Sequence, residues 1–178
     1  MKRTFIAIAL LSVLAATFSS MAFADAMSYL SARTQFSGNA GYLWVTPNSG
    51  APNWQGPDLG GALTVSLHPQ FAIYGSYDHG FPVAGSNGQF NIVRVAGSYK
   101  AWPALGVESS NSVFVNAGRG WFGRSNIRAV RSTDAGIVVS HLFKPEYPSM
   151  AVALAWSHAF ADEGAGDFDF VKLCLNVH

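Results

Sequence analysis

A chain of 178 residues with 49% hydrophobic and only 12% charged side chains holds about one domain and has half the ~25% charge of an ordinary soluble domain. Its 13% aromatic content excludes a disordered chain, and a formal net charge of +1 offers no basic footprint for nucleic acid. A surface this poor in ions suits a medium less polar than water.

Met1-Lys2-Arg3, the apolar stretch Phe5 to Phe18 and then Ala22-Phe23-Ala24 form the charged, apolar and small-residue regions of a secretory signal peptide. The apolar stretch is too short for a spanning helix. Cleavage is expected after Ala24, with residues 25–35 a lead-in and 36–178 the folded domain. Loss of Lys2 and Arg3 leaves nine basic residues against ten acidic ones. Cys174 is the only cysteine, so the exported domain must be held without an internal disulfide.

Beyond Ala24 no apolar stripe of helical period appears, and alternation dominates. It predicts eight strands at roughly 36–45, 58–68, 70–78, 90–100, 112–122, 130–142, 150–158 and 168–177. Most have about 9–11 residues, the length with which a tilted strand crosses hydrocarbon. In the second and third, Leu59, Leu63, Val65 and Leu67, then Phe71, Ile73 and Tyr77, alternate with smaller or polar residues. His68-Pro69-Gln70 between them is a tight turn, since proline cannot donate to a central ladder. The fourth carries Arg94 between Val93 and Val95, and the sixth carries Asp134 in phase with Ser132 and Gly136. The seventh sets Met150, Val152, Leu154 and Trp156 against Ala151, Ala153, Ala155 and Ser157. The eighth sets Val171, Leu173, Leu175 and Val177 against Phe170, Lys172, Cys174 and Asn176. Stretches rich in Gly, Pro, Asn and Ser follow the odd strands, the third running from Gly123 to Ala129.

Alternation does not by itself say which face is outside, because a soluble ligand-binding barrel and a membrane barrel share it. Two features favour lipid outside. The less apolar face is small and nearly uncharged, suiting a narrow lumen filled by side chains. The large aromatics Trp44, Tyr77, Trp121 and Trp156 fall towards one rim and Tyr99 and Trp102 towards the other, as in the girdles of outer-membrane barrels. Leu63, Val65, Ile73, Val152, Leu154 and Leu173 are therefore expected to face lipid. An open edge is untenable there, so the first strand should pair with the eighth.

The signal segment, the eight alternating segments, the tight 68–70 turn and the aromatic rims together resemble the OmpA/OmpX-like family of small outer-membrane barrels, from Phe36 to His178. The resemblance implies an all-β fold: an eight-stranded antiparallel up-and-down transmembrane β-barrel in the bacterial outer membrane. Barrels of that family usually finish on an aromatic residue, whereas this chain finishes Leu173-Cys174-Leu175-Asn176-Val177-His178.

With apolar residues turned to lipid, Arg94, Asp134 and Lys172 point into the lumen, where an unpaired ion loses solvation without compensation. Asp134 is expected to pair with Arg94, Lys172 or both, forming a plug that fixes the barrel. Arg119, Arg124, Arg128 and Arg131 flank or occupy the third outer connection. They offer guanidinium contacts to lipopolysaccharide phosphates, while Asp162, Glu163, Asp167 and Asp169 surround the fourth connection. No metal-ligand spacing involves the histidines, no cofactor is implied, and Ser140-His141 and Ser157-His158 are adjacent pairs whose side chains diverge in a strand. The expected function is a non-catalytic, monomeric outer-membrane barrel for envelope integrity or surface interaction, in contact with lipid and lipopolysaccharide. A narrow channel or carrier and a soluble periplasmic lipocalin-like binder are the alternatives.

Overall fold

The computed structural model describes residues 28–49, 53–81, 83, 88–104, 106–124, 127–146, 148–162 and 166–178. The expected signal segment lies outside them. The chain divides into a unit ending at Thr34 and the barrel unit Gln35–His178. In the first, residues 28–31 make a helical turn, and Arg33 just after it lies over the Tyr29 ring at 4.0 Å.

Eight strands follow: β1 Thr34–Pro47, β2 Trp54–His68, β3 Phe71–Gly80, β4 Phe90–Trp102, β5 Asn111–Arg124, β6 Ile127–Lys144, β7 Met150–Ala161 and β8 Phe168–Val177. Each pairs with its sequence neighbour, and β1 pairs antiparallel with β8 from Gly38 opposite Val177 to Pro47 opposite Phe168. The result is a closed, eight-stranded, all-antiparallel up-and-down barrel. Closure matters because no strand edge is left with unpaired N–H and C=O groups, each worth several kcal/mol in hydrocarbon. Odd-numbered strands finish at one end, here the distal end, and even-numbered strands at the other, the proximal end. Residues 69 and 70 alone separate β2 from β3, where the Gln70 N–H donates to His68 Nδ1 at 3.3 Å.

Alternation sorts the side chains as lipid outside requires. Leu63, Ile73, Val152, Leu154 and Leu173 are exposed, and Val65 is half-buried. Asp134, Ser132 and Ser157 are buried inside. The inverted arrangement of a soluble lipocalin-like barrel, with large aliphatics inside and ions outside, is not the one found.

Two expectations need correction. The third outer connection is not a seven-residue loop: strand pairing continues to Arg124 opposite Ile127, with only 125 and 126 between the strands. Arg124 and Arg128 therefore sit on β5 and β6 rather than in a loop, past a register shift between Phe122 and Arg124. β7 runs on to Ala161 instead of stopping near 158, so Trp156 stands near the middle of its strand.

Candidate functional site

The barrel interior is layered along its axis. The distal layer is apolar: Leu43, Val45, Trp54, Phe90, Ile92, Phe122, Phe168 and Phe170 form a buried cluster. Its rings touch in series, Trp54 to Phe90 at 5.3 Å between centroids, Phe90 to Phe122 at 6.5 Å, and Phe122 edge-on to Phe168 at 4.7 Å. Buried Trp54 keeps its indole N–H satisfied by donating to the Gly88 carbonyl at 2.8 Å, as a buried indole requires. These residues come from the distal ends of five strands: β1, β2, β4, β5 and β8. The expected small, weakly polar interior therefore describes β7 but not this end, which bulky rings seal. Gly80 makes the seal possible, because a Cβ there would overlap the Trp54 ring.

Directly beneath lie two ionic clusters. Arg94 on β4 donates Nε to Asp134 Oδ2 at 2.7 Å and Nη2 to Oδ1 at 2.8 Å, a bidentate fork across the lumen to β6. The Asp134 side chain is fully buried, and that of Arg94 is 11% exposed. The guanidinium carbon also lies 5.3 Å from the Phe170 ring centroid and 5.8 Å from that of Tyr74, within cation–π range. Gly120 leaves room for this, since a Cβ there would press on Phe122 and approach Arg94 Cγ.

Lys172 is not part of that pair. Its ammonium donates to Asn39 Oδ1 and Asp78 Oδ1, each at 2.6 Å, and is ion-paired with Asp58. The reason is position around the barrel: β8 adjoins β1, and the lysine reaches β1, β2 and β3, whereas Asp134 on β6 faces β4. Sequence reasoning did not single out Asp58 and Asp78 as ionic partners. Their signal was nevertheless legible, because Asp78 is in phase with Tyr74 and Ser76, and Asp58 with Thr64 and Ser66. Gly60 clears the space, as a Cβ there would strike Asp78 and crowd Asn39.

Proximal to the ions is an open chamber of about 390 Å³ reaching the 68–70 turn, Asn176 and His178. Beside its mouth, burial pulls the His178 imidazole below its ordinary value.

The aromatic residues expected at the rims, Trp44, Tyr77, Trp121, Trp156, Tyr99 and Trp102, are all exposed on the outer face. The Tyr77 hydroxyl donates to Asn91 Oδ1 at 2.8 Å. On the distal exterior, Arg119 is ion-paired with Asp162, which joins the β5–β6 hairpin to the β7–β8 connection. Arg131 is exposed opposite Trp121, and the side chains of Arg124 and Arg128 lie outside the described residues. The other described acidic residues of that rim are engaged as well. Asp167 accepts the Ala161 N–H at 3.1 Å, and Asp169 meets His158 Nδ1 at 3.0 Å. Ser157 is buried inside while His158 contacts Asp169 outside, so the adjacent pair cannot act together. His141 contacts Asn111 at 2.8 Å.

No protein-family model matches the sequence, and comparison with curated proteins yields no relative. Among solved structures, the N-terminal β-barrel domain of Pseudomonas aeruginosa OprF is similar over 80% of this chain and 98% of that one, with 14% identity and a TM-score of 0.53. Neisserial surface protein A is similar over 81% of this chain and 96% of that one (11% identity, TM-score 0.48). The attachment invasion locus protein Ail of Yersinia pestis gives the same coverage at 14% identity and a TM-score of 0.46. At these identities the likeness concerns fold. A closed antiparallel eight-stranded barrel with an apolar exterior, an ionic interior and the backbone course of the OprF barrel has the OmpA/OmpX-like outer-membrane β-barrel fold.

Proposed function

We propose that the chain is a non-catalytic, monomeric barrel of the bacterial outer membrane that serves envelope integrity and surface contact without conducting solutes. The observation that carries this reading is the combination of a lipid-compatible exterior with a distal lumen filled by Trp54, Phe90, Phe122, Phe168 and Phe170. Eight strands leave an interior just wide enough for side chains, and here bulky rings occupy its distal end. The seal argues against the narrow-channel alternative. Closure of β1 on β8 leaves no edge to recruit a second copy by strand pairing, which supports a monomer.

Surface contact falls to the distal exterior. Arg119 and Arg131 lie on the outer face at the level of Trp121, where headgroups meet the aromatic girdle. Guanidinium forks fit lipopolysaccharide phosphates, and Arg124 and Arg128 belong to the same hairpin. The pairing of Arg119 with Asp162 holds one of these forks until a phosphate competes for it. Membrane fractionation with heat-modifiable migration on a detergent gel tests the reading. The protein should enter the outer-membrane fraction and migrate differently before and after boiling. Recovery in the soluble periplasmic fraction would reject it.

A further inference from the structure

We propose that the proximal chamber is a blind binding site for a small neutral polyhydroxylated molecule, of the size of one or two sugar rings, entering from the proximal end. The chamber of about 390 Å³ is within the ~300–1,000 Å³ of small-molecule sites. It has no exit, because the ionic clusters floor it and the aromatic seal lies beyond them.

Its wall is divided by chemistry. On the β1–β4 side stand Asn39, Thr64, Ser66, Ser76 and Ser98, an arc of amides and hydroxyls. On the β5–β8 side Phe114, Val138, Ala153, Ala155 and Cys174 form an apolar arc, with Asn116 among them and Lys172, Asn176 and His178 along its β8 border. A molecule with one hydroxylated edge and one C–H face matches both halves at once. The floor adds selectivity. Arg94 is committed to Asp134, and Lys172 to Asp58, Asp78 and Asn39, so an ionic ligand gains contact with the floor only by breaking a buried pair. A neutral one leaves them intact. Lys100 beside the 68–70 turn is the other lysine of the lining.

Asn116 points to an occupant independently. It sits in the apolar arc, 5% exposed, lines the chamber, and its Oδ1 has no hydrogen-bond partner among the described residues. A buried amide oxygen without a partner is unfavourable; the oxygen is itself closed to water, and a turn of the side chain about its terminal torsion lets a ligand hydroxyl donate to it. This site is independent of whether the distal end faces the cell exterior.

The test uses the full barrel refolded in an amine-oxide detergent, since glucoside and maltoside detergents carry sugar headgroups of their own. Saturation-transfer NMR is recorded with N-acetylglucosamine, maltose and, as the ionic control, glycerol 3-phosphate. In parallel, the labelling rate of Cys174 by a small thiosulfonate reagent is followed with each probe present. The expected result is saturation transfer to at least one of the sugars and its loss in Asn116→Leu. The same sugar should slow Cys174 labelling at least threefold, while glycerol 3-phosphate does neither. Heat-modifiable migration checks that Asn116→Leu is folded, and the neutral, smaller Asn116→Ser, which keeps an acceptor oxygen, should retain transfer. No transfer to either sugar overturns the proposal, as does equal transfer to glycerol 3-phosphate or sugar binding that survives Asn116→Leu. Binding without protection of Cys174 also overturns it, by locating the sugar elsewhere.

Discussion

Arg94 joins three parts of the interior at once. Its fork holds both oxygens of Asp134, one face of its plane lies towards Phe170 of the seal, and Tyr74 of the chamber is also within reach. A lysine supplies one charge without the fork or the plane, so Arg94→Lys should weaken the floor although charge is conserved. Asp134 is the sharper probe, because its side chain is fully buried. Asp134→Ala leaves Arg94 uncompensated, which costs ~3–5 kcal/mol in a buried setting, less where chamber water reaches the guanidinium. Asp162→Ala removes an exposed pair and should cost under ~1 kcal/mol. Thermal unfolding of the two variants, followed by loss of heat-modifiable migration, should separate them clearly, and equal shifts would contradict the buried pair. His178 gives a pH signature. Its lowered value means the fold favours the neutral ring, so its contribution is complete above the unfolded value of ~6.5 and lost as pH falls below that. His178→Gln should flatten the acid side of the stability profile.

At the scale of elements, glycine placement decides which side chains the lumen can hold. Gly80 on β3 faces the Trp54 ring, whereas a Cβ at Gly38 on β1 meets nothing within 4 Å. Gly80→Ala should therefore cost ~1–3 kcal/mol by overpacking, and Gly38→Ala should stay within ~0.5 kcal/mol; denaturant midpoints of the two would show it. The strands themselves were legible from a period of two, because one face meets lipid and the other a filled lumen. The same pattern placed Arg94, Asp134 and Lys172 inside. It could not say which of them meet, since contact across a barrel depends on the stagger between strands as well as on facing. Lys172 thus reaches Asp58 and Asp78 rather than Asp134. Trp54 escaped notice because it stands in a stretch of Pro, Asn and Gly that reads as loop, yet it opens β2. Arg124 and Arg128 read as loop residues for a similar reason: Gly123, Ser125 and Asn126 carry turn character although the pairing continues to Arg124 opposite Ile127.

For the whole molecule, an exterior that satisfies lipid and an interior that satisfies ions and rings are two consequences of one inside-out assignment. The seal makes a functional prediction at this scale. The unaltered barrel should show no steady conductance in planar bilayers, and Trp54→Ala combined with Phe122→Ala should raise it, at a stability cost near the ~3–5 kcal/mol typical of each large-to-small core change. The five tryptophans test the assignment most directly. Trp44, Trp102, Trp121 and Trp156 are exposed on the outer face, and Trp54 is 2% exposed inside. Single-tryptophan barrels refolded into bilayers with brominated acyl chains report which indoles touch lipid, through quenching of their fluorescence. Strong quenching of Trp156, weaker quenching of Trp44, Trp102 and Trp121 near the headgroups, and none of Trp54 is the predicted result. Quenching of Trp54 with the other four unaffected would contradict the account.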